Sequence, residues 1–245
     1  MISHAAILIK QFELVYVNNI VIFAPHPDDE TLGCGGLIAK RVMEGCSVFV
    51  VFMTDGRYAL TPMGITSDPS PLEMKEIRKR EALRALGILG IRNKDAFFLD
   101  FEDTMLKKYK MEVYRRIVHI LKDINPSEVF FPQRKEYHID HQITNMIVEE
   151  AVRNSKLNVI KYQYIIAWKF PFNLFAHILN ERSFDKLMSS LLKCNLFYMD
   201  ISDFLHIKTM AIKEYKWTLL PLRRKSPFKF SSLSRFIKSE EKFFF

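Results

Sequence analysis

Two short segments of the chain concentrate histidine and carboxylate side chains. Residues 25–30 read Pro-His-Pro-Asp-Asp-Glu, and residues 138–141 read His-Ile-Asp-His. Two imidazoles and one carboxylate form a ligand set that suits zinc, which in catalytic sites usually keeps three protein ligands and an open position for water. Bound zinc lowers the pKa of that water to about 7, and a carboxylate that is not a ligand then serves as general base. These residue types therefore predict a metal site that activates water.

Each segment also has an ordinary structural interpretation when it is taken alone. An Asp-Asp-Glu run after a strand is typical of a helix N-terminus, where acidic side chains interact favourably with the helix dipole. A His-x-x-His pair is usually a surface or core pair. Both segments follow predicted strands of one sheet, so one shared site explains them better than two separate accidents. The residues alone do not decide which aspartate of the first segment binds the metal.

The alternation of strands and helices places both segments at the same edge of a sheet. Short apolar runs predict strands that are buried on both faces, at residues 21–24, 48–53, 96–99 and 128–131. Amphipathic spacing predicts helices between and after them, at residues 31–45, 72–86, 113–121 and 202–220. This rhythm predicts an α/β fold, a single Rossmann-like three-layer domain with a mainly parallel sheet and helices on both faces. Ligands bind such sheets beyond the carboxyl ends of the strands.

The composition is that of a folded protein of ordinary size. The chain has 245 residues, of which 49% are apolar, so the disordered, collagen-like and disulfide-scaffold classes are excluded. Its three cysteines are widely spaced and form neither a disulfide framework nor a Cys-type zinc site, which favours a reducing compartment such as the cytoplasm. The sequence shows neither a transmembrane run of ~18 apolar residues nor the pattern of a signal peptide.

The formal charge of +8 is concentrated near the C-terminus. Residues 223–242 carry seven Lys and Arg against two Glu, a local charge of +5, interleaved with phenylalanines. We therefore divide the chain into a domain at residues 1–222 and a basic, aromatic tail at residues 223–245. We expect the tail to be solvated or packed on itself, and weak contact with an anionic membrane surface is the alternative.

The two segments and their surroundings resemble a known family. Residues 26–36, His-Pro-Asp-Asp-Glu continued by Thr-Leu-Gly-Cys-Gly-Gly, and the later His-x-Asp-His look like the signature of the PIG-L/LmbE family of zinc-dependent N-deacetylases. Three further motifs fall in the family's order: Thr54-Asp55-Gly56, Arg78-x-x-Glu81 with Leu86-Gly87, and Phe98-Leu99-x-Phe101-x-Asp103. The resemblance covers residues 20–148. It implies removal of an acetyl group from an N-acetylglucosamine-type sugar or sugar conjugate.

The resemblance also implies the roles of the residues that carry the reaction. It places the zinc ligands at His26, Asp29 and His141, with another divalent transition metal as an alternative ion. Asp28 matches the general base that acts on the metal-bound water. His138 matches a histidine that stabilises the oxyanion or protonates the leaving amine.

Three more residues receive weaker assignments. Asp140 lies where it can orient a neighbouring imidazole, as the partners of metal-binding histidines do. Asp103 falls where family members contact the sugar. Arg57 replaces an acidic residue often found in the family, so we expect a preference for a more anionic substrate if it lies in the crevice.

Other functions agree less well with the sequence. Gly33-x-Gly35-Gly36 suggests a dinucleotide-binding enzyme, but its spacing is not G-x-G-x-x-G, and carboxylates occupy the helix N-terminus that a pyrophosphate would need. We expect these glycines to permit close packing of the helix on the sheet. A pI of 9.3 suggests nucleic-acid binding, but no recognition motif accompanies the charge, so no nucleic-acid partner is expected. The remaining alternative is a zinc amidohydrolase that acts on another N-acylated small molecule.

Overall fold

A computed structural model describes residues 18–61, 64–166, 181–217 and 236–245. In these ranges the strands are β1 (Asn19–Ala24), β2 (Ser47–Thr54), β3 (Ala96–Phe101), β4 (Glu128–Pro132), β5 (Ile160–Tyr164), β6 (Leu196–Asp200) and β7 (Glu240–Phe244). The α-helices are α1 (Asp29–Met43), α2 (Pro71–Ile88), α3 (Lys110–Ile124), α4 (Ile139–Ser155), α5 (Glu181–Leu192) and α6 (Leu205–Glu214). None of these helices is both long and apolar enough to cross a membrane.

The strands form one sheet in the order β3-β2-β1-β4-β5-β7-β6. The first five are mutually parallel, and β7 pairs antiparallel with both β5 and β6. The chain runs outward from β1 through β2 to β3 and then returns to the other side of β1 with β4. The order therefore reverses between β1 and β4, where loops diverge and leave a crevice for a ligand. Residues 25–30 and 138–141 follow these two strands, as the sequence predicted.

Helices cover both faces of the sheet because successive side chains of a buried strand point to opposite sides. Ile20 and Ile22 of β1 belong to a buried cluster with residues of α1, α2 and α6. Val21 and Phe23 belong to a second cluster with residues of α3 and α4. The expected α/β architecture with a mainly parallel sheet is confirmed.

Two predicted elements differ in extent from the observed ones. The helix expected at residues 202–220 begins as a 3-10 turn at Ser202–Phe204 and continues as α6 to Glu214, while residues 218–220 lie outside the described ranges. The sequence also contains a strongly aromatic run at residues 162–175, which suggests a strand followed by a lid loop, and the beginning of this run lies in β5. Its remainder, from residue 167, lies outside the described ranges.

The glycines of α1 allow this helix to approach the sheet closely. A Cβ atom on Gly33 would lie 2.6 Å from Cδ2 of Tyr164 in β5, and one on Gly36 would lie 2.4 Å from Cδ1 of Ile201. Both distances are well inside van der Waals contact, so any side chain here would push the helix away. These contacts support the expectation that Gly33-x-Gly35-Gly36 permits close packing of the helix on the sheet.

The end of the chain, which we placed in a tail, contains an inner strand of the sheet. β7 lies between β5 and β6, and the side chains of Phe243 and Phe244 are buried. These two aromatic residues are therefore not available for contact with a lipid surface. The sequence analysis missed this strand because it is only five residues long and begins with three charged residues, Glu-Glu-Lys. Of the remaining tail, residues 223–235 lie outside the described ranges.

Glu241 of β7 ties the strand to two helices through a buried carboxylate. Its Oε1 accepts hydrogen bonds from the backbone N–H of Gly36 at 2.8 Å and from Nζ of Lys208 at 2.7 Å. Its Oε2 accepts a hydrogen bond from the backbone N–H of Leu37 at 2.8 Å. Lys208 belongs to α6 and is itself buried. One carboxylate therefore fixes α1 and α6 against the terminal strand.

We expect the substitution Glu241→Ala to lower the free energy of unfolding by about 3–5 kcal/mol, because it leaves the Lys208 ammonium buried without its counter-charge. Urea denaturation followed by circular dichroism measures this change. Glu240→Ala is the matched control, since Glu240 lies on the same strand but pairs with the exposed Arg182. The control is expected to change stability by less than about 1 kcal/mol. Equal unfolding midpoints for the two variants would contradict this account of Glu241.

Candidate active site

The turns after β1, β3 and β4 bring most of the predicted site residues together. His26 lies in the turn after β1, and Asp28 and Asp29 begin α1. His138 is the N-cap residue of α4, whose first turn contains Asp140 and His141. Asp103 lies two residues after the end of β3. Because parallel strands end at one edge, residues far apart in sequence meet in a single buried cluster.

Three atoms in this cluster form a nearly equilateral triangle. Oδ2 of Asp29 lies 3.1 Å from Nδ1 of His26 and 3.1 Å from Nε2 of His141. The two histidine nitrogens are 3.3 Å apart. The ligands of a tetrahedral zinc ion, with bonds of about 2.0 Å, are separated by about 3.3 Å. The spacing and the nitrogen and oxygen donors therefore fit zinc without rearrangement.

His26 also belongs to two other groups of potential metal ligands. Its ligand atoms lie within 4.8 Å of those of His138 and His141, and likewise of those of Asp103 and Asp140. The His26 and His138 rings meet edge to face, with centroids 4.6 Å apart. His26 is therefore common to the three candidate ligand sets, which differ in their other donors.

The far side of the His26 ring faces two aspartates. Its Nε2 lies 3.1 Å from Oδ1 of Asp103 and 3.5 Å from Oδ2 of Asp140. Burial opposes the charged form of His26, but the aspartates around it outweigh this effect and raise its pKa well above the usual value. Asp140 is held in turn by the backbone N–H groups of Thr104 and Leu106. The imidazole that the carboxylate of Asp140 faces is thus that of His26.

Glu136 supports the other histidine of the triangle and was missed in the sequence analysis. Its Oε2 lies 3.7 Å from Nδ1 of His141, and the glutamate is buried. Burial disfavours the charged form of His141, but Asp29 and Glu136 raise its pKa to about 9. The sequence feature that could have indicated this role is the position of the glutamate, two residues before the His-x-Asp-His segment. Such partners fix the orientation of metal-binding imidazoles.

Asp28 lies outside the triangle and has its own support. Its Oδ1 is 2.8 Å from Nη2 of Arg78, a buried residue of α2 whose guanidinium also donates to the carbonyl groups of Pro27 and Gly56. Burial raises the pKa of Asp28 to about 6, although Arg78 acts in the opposite direction. A carboxylate with a pKa near neutrality is suited to accept a proton and return it.

His138 presents a neutral imidazole at the edge of the cluster. Its Nδ1 accepts a hydrogen bond from the backbone N–H of Asp140 at 3.3 Å, so the neutral ring carries its proton on Nε2. Burial lowers its pKa to about 4, and the neighbouring His26 and His141 act in the same direction. The ring is only partly buried, unlike that of His26 or His141. It can therefore donate a hydrogen bond to a bound molecule.

Arg57 and Asp103 have contacts within the protein that bear on their expected roles. Nε and Nη2 of Arg57 donate to Oδ2 of Asp55 at 2.9 and 2.5 Å. The neighbouring Tyr58 donates its backbone N–H to Asp103, which places this loop beside the cluster. Asp103 is buried between Tyr58 and His26. Contact of either residue with substrate stays a prediction.

Comparison with known proteins gives matches that include this cluster. Residues 21–152 match the family PIG-L, GlcNAc-PI de-N-acetylase. A diacetylchitobiose deacetylase of Thermococcus kodakarensis is 28% identical over 209 residues, which cover 82% of this chain and 70% of that protein. A probable N-acetyl-alpha-D-glucosaminyl L-malate deacetylase 2 of Bacillus anthracis is 30% identical over 157 residues, 61% of this chain and 66% of that protein.

A solved structure shows the likeness over nearly the full length of the chain. The N,N'-diacetylchitobiose deacetylase from Pyrococcus horikoshii superimposes with a TM-score of 0.67 at 22% identity, over 99% of this chain and 92% of that one. At this identity the superposition shows a shared fold. The family match, by contrast, spans more than half of the sequence and contains both histidine segments. The chain therefore belongs to the PIG-L family of N-deacetylases, which are hydrolases.

Proposed function

We propose that this protein is a zinc-dependent hydrolase that removes the acetyl group from an N-acetylglucosamine-type sugar or sugar conjugate. The observation that carries the proposal is the triangle of His26, Asp29 and His141, with donor atoms 3.1 to 3.3 Å apart and a separate carboxylate, Asp28, one residue away. A metal site and an adjacent base together supply an activated water and a proton acceptor, which suffice for hydrolysis of an unactivated amide.

The triangle is the preferred ligand set among the groups that share His26. Its three atoms have the spacing of a tetrahedral zinc site, and all three side chains are buried. His138 is less buried, and its Nδ1 is occupied by the N-terminus of α4. We therefore assign His138 to the substrate side of the site rather than to the metal.

Amide hydrolysis needs a proton acceptor and a proton donor in turn. Zinc, when bound, supplies a water of lowered pKa and polarises the acetyl carbonyl. Asp28 removes the proton from the attacking water, whose oxygen forms a bond to the carbonyl carbon. The C–N bond then breaks, and the departing nitrogen takes up a proton, which gives a free amine and acetic acid, and the acid ionises to acetate by releasing the second proton of the water. Asp28 holds the proton gained in the first step and can return it.

His138 contributes through its neutral N–H group. A hydrogen bond from Nε2 to the carbonyl oxygen becomes stronger as negative charge develops there, and this difference lowers the barrier. Because its pKa is lowered to about 4, an imidazolium at this position is disfavoured at neutral pH. We therefore assign oxyanion stabilisation to His138 and the return of the proton to Asp28.

We expect Asp28→Asn to lower kcat by about 10²–10⁴-fold, because it removes the proton acceptor while it keeps the shape of the side chain. Acetate release from N-acetylated sugars measures the loss, and zinc content measured in parallel is expected to stay at the wild-type level. Asp100→Asn is the control, since Asp100 lies on β3, outside the cluster, and pairs with Lys75 at the surface. Full activity of Asp28→Asn would exclude this residue as the base.

The ligand assignment is tested by metal content, since the triangle contains Asp29 where the three-histidine set contains His138, and the set with Asp103 and Asp140 lacks His141. We expect about one zinc ion per wild-type chain, and loss of activity on chelation that zinc restores. Asp29→Ala and His141→Ala are expected to abolish stoichiometric zinc binding. His138→Ala is expected to keep the metal and to lower kcat by about 10²–10³-fold.

His119→Ala is the matched control for these histidine variants, because His119 is exposed on α3 and pairs with Asp123. It should behave as the wild type in both assays. Loss of zinc from His138→Ala together with retention of zinc by Asp29→Ala would instead support the three-histidine set.

The substrate class is inferred from the relatives, whose names specify diacetylchitobiose and an N-acetylglucosaminyl malate. We expect acetate release from N-acetylhexosamines or their conjugates and none from simple N-acetyl amines. Acetate release from the simple amines alone would favour the alternative, a zinc amidohydrolase that acts on another N-acylated small molecule.

Arg57 is expected to favour members of this class that carry a carboxylate or phosphate. Arg57→Gln should raise KM for anionic sugars by about tenfold, which corresponds to the loss of one charged contact of about 1.4 kcal/mol. KM for neutral sugars should stay unchanged. Arg92→Gln is the control, since Arg92 is exposed and pairs with Asp95. Equal changes in KM for neutral and anionic sugars would exclude this role of Arg57.

A further inference from the structure

We propose that Tyr215 is a positioning residue for the reaction, which acts on Asp28 through the carboxylate of Glu30. This inference rests on the proposed role of Asp28 as general base. It adds a residue from the segment after α6, which lies beyond the residues that match the family. The argument starts from the backbone conformation of Asp28.

Asp28 has a backbone conformation that an L-amino acid rarely adopts. Its φ angle is 136°, and its ψ angle is −29°. A positive φ brings Cβ into conflict with the backbone, so a residue other than glycine keeps this conformation only where its surroundings hold it. The side chain of Asp28 therefore takes its direction from groups that fix the backbone as well as from those that bind its carboxylate.

Two groups restrain Asp28 from opposite ends of the residue. Arg78 binds the carboxylate, with Nη2 2.8 Å from Oδ1. Glu30 binds the backbone, because its Oε2 accepts a hydrogen bond from the N–H of Asp28 at 3.0 Å. The position of the Glu30 carboxylate thus bears directly on the φ angle of Asp28.

The Glu30 carboxylate is completely buried and depends on donors from two parts of the chain. Its Oε1 accepts hydrogen bonds from the hydroxyl of Thr31 at 2.5 Å and from the hydroxyl of Tyr215. Tyr215 is buried and follows the last residue of α6. Thr31 is a neighbour in sequence and moves with Glu30. The Tyr215 hydroxyl is the distant anchor that sets where the carboxylate lies.

The segment that carries Tyr215 is itself held by α2. Oε1 of Glu81 accepts hydrogen bonds from the backbone N–H groups of Lys216 and Trp217 at 3.0 and 3.3 Å. Glu81 lies three residues after Arg78, so both side chains project from the same face of α2. One face of α2 therefore holds the Asp28 carboxylate directly and the Asp28 backbone through Tyr215 and Glu30.

The test compares Tyr215→Phe with Tyr164→Phe. Each substitution removes one buried hydroxyl and keeps the ring, but the Tyr164 hydroxyl donates to the carbonyl of Phe23 and not to Glu30. We expect Tyr215→Phe to lower kcat by about tenfold or more, since small displacements of a catalytic group are costly. KM, zinc content and the yield of folded protein should stay at wild-type levels. Tyr164→Phe should leave kcat within about twofold of the wild type.

A double-mutant cycle tests whether Tyr215 acts through Glu30. Glu30→Gln is expected to lower kcat as well, because an amide cannot accept hydrogen bonds at both of its terminal atoms. If the two residues form one chain, adding Tyr215→Phe to Glu30→Gln lowers kcat no further. Multiplicative losses in the double variant, an unchanged kcat in Tyr215→Phe, or an equal loss in Tyr164→Phe would each overturn the proposal.

Failure of the proposed function can be distinguished from failure of this positioning role. If the proposed function is wrong, wild-type protein loaded with zinc releases no acetate from any compound tested. Crystal structures of the wild type and Tyr215→Phe then test the positioning role through the backbone of Asp28. We then expect the φ angle of Asp28 to leave its positive value in the variant, while the wild type keeps it. An unchanged φ angle, with Glu30 still bonded to the Asp28 N–H, would overturn the positioning role.

Discussion

The burial of several carboxylates around two imidazoles is the constraint on which the rest of the structure depends. Each ionised group that leaves water loses several kcal/mol of solvation, which only close partners can offset. Asp29 meets this condition between His26 and His141, which hold its pKa well below the usual value despite burial. Asp140 meets it through two backbone N–H groups. The cluster therefore requires the turns after three strands to lie in fixed positions.

The same constraint explains why α1 is restrained along its length. At its N-terminus Arg78 of α2 binds Asp28, and at its middle Glu241 of β7 accepts hydrogen bonds from the N–H groups of Gly36 and Leu37. Between these points the helix packs on Tyr164, because Gly33 has no side chain. A metal ligand on the first turn of a helix keeps its direction only when the helix cannot slide or rotate. The glycines and the terminal strand thus contribute to the site without touching it.

Sequence reasoning succeeded where a local pattern determines the outcome. The strands before residues 25 and 138 follow from short apolar runs, and the rule for ligand sites in parallel sheets then brings His26 and His141 together. It failed for β7 and Glu241, because the hydrogen bond to Gly36 joins residues 205 positions apart. No periodicity near residue 241 indicates such a partner. Arg78 was noted only as part of a family motif, and its contact with Asp28 depends on how α2 packs.

The residues that form the cluster and the residues that hold α1 in place lie in different parts of the chain. The family match at residues 21–152 contains every residue proposed here as a ligand or acid–base group, while Tyr215 and Glu241 lie beyond it. These later residues supply a hydroxyl donor and a carboxylate to α1 across long sequence separations. Such a role fixes the type and position of one polar atom and leaves neighbouring residues free to vary. A C-terminal region of weak resemblance can therefore still determine the geometry at Asp28, because that geometry depends on a few buried hydrogen bonds.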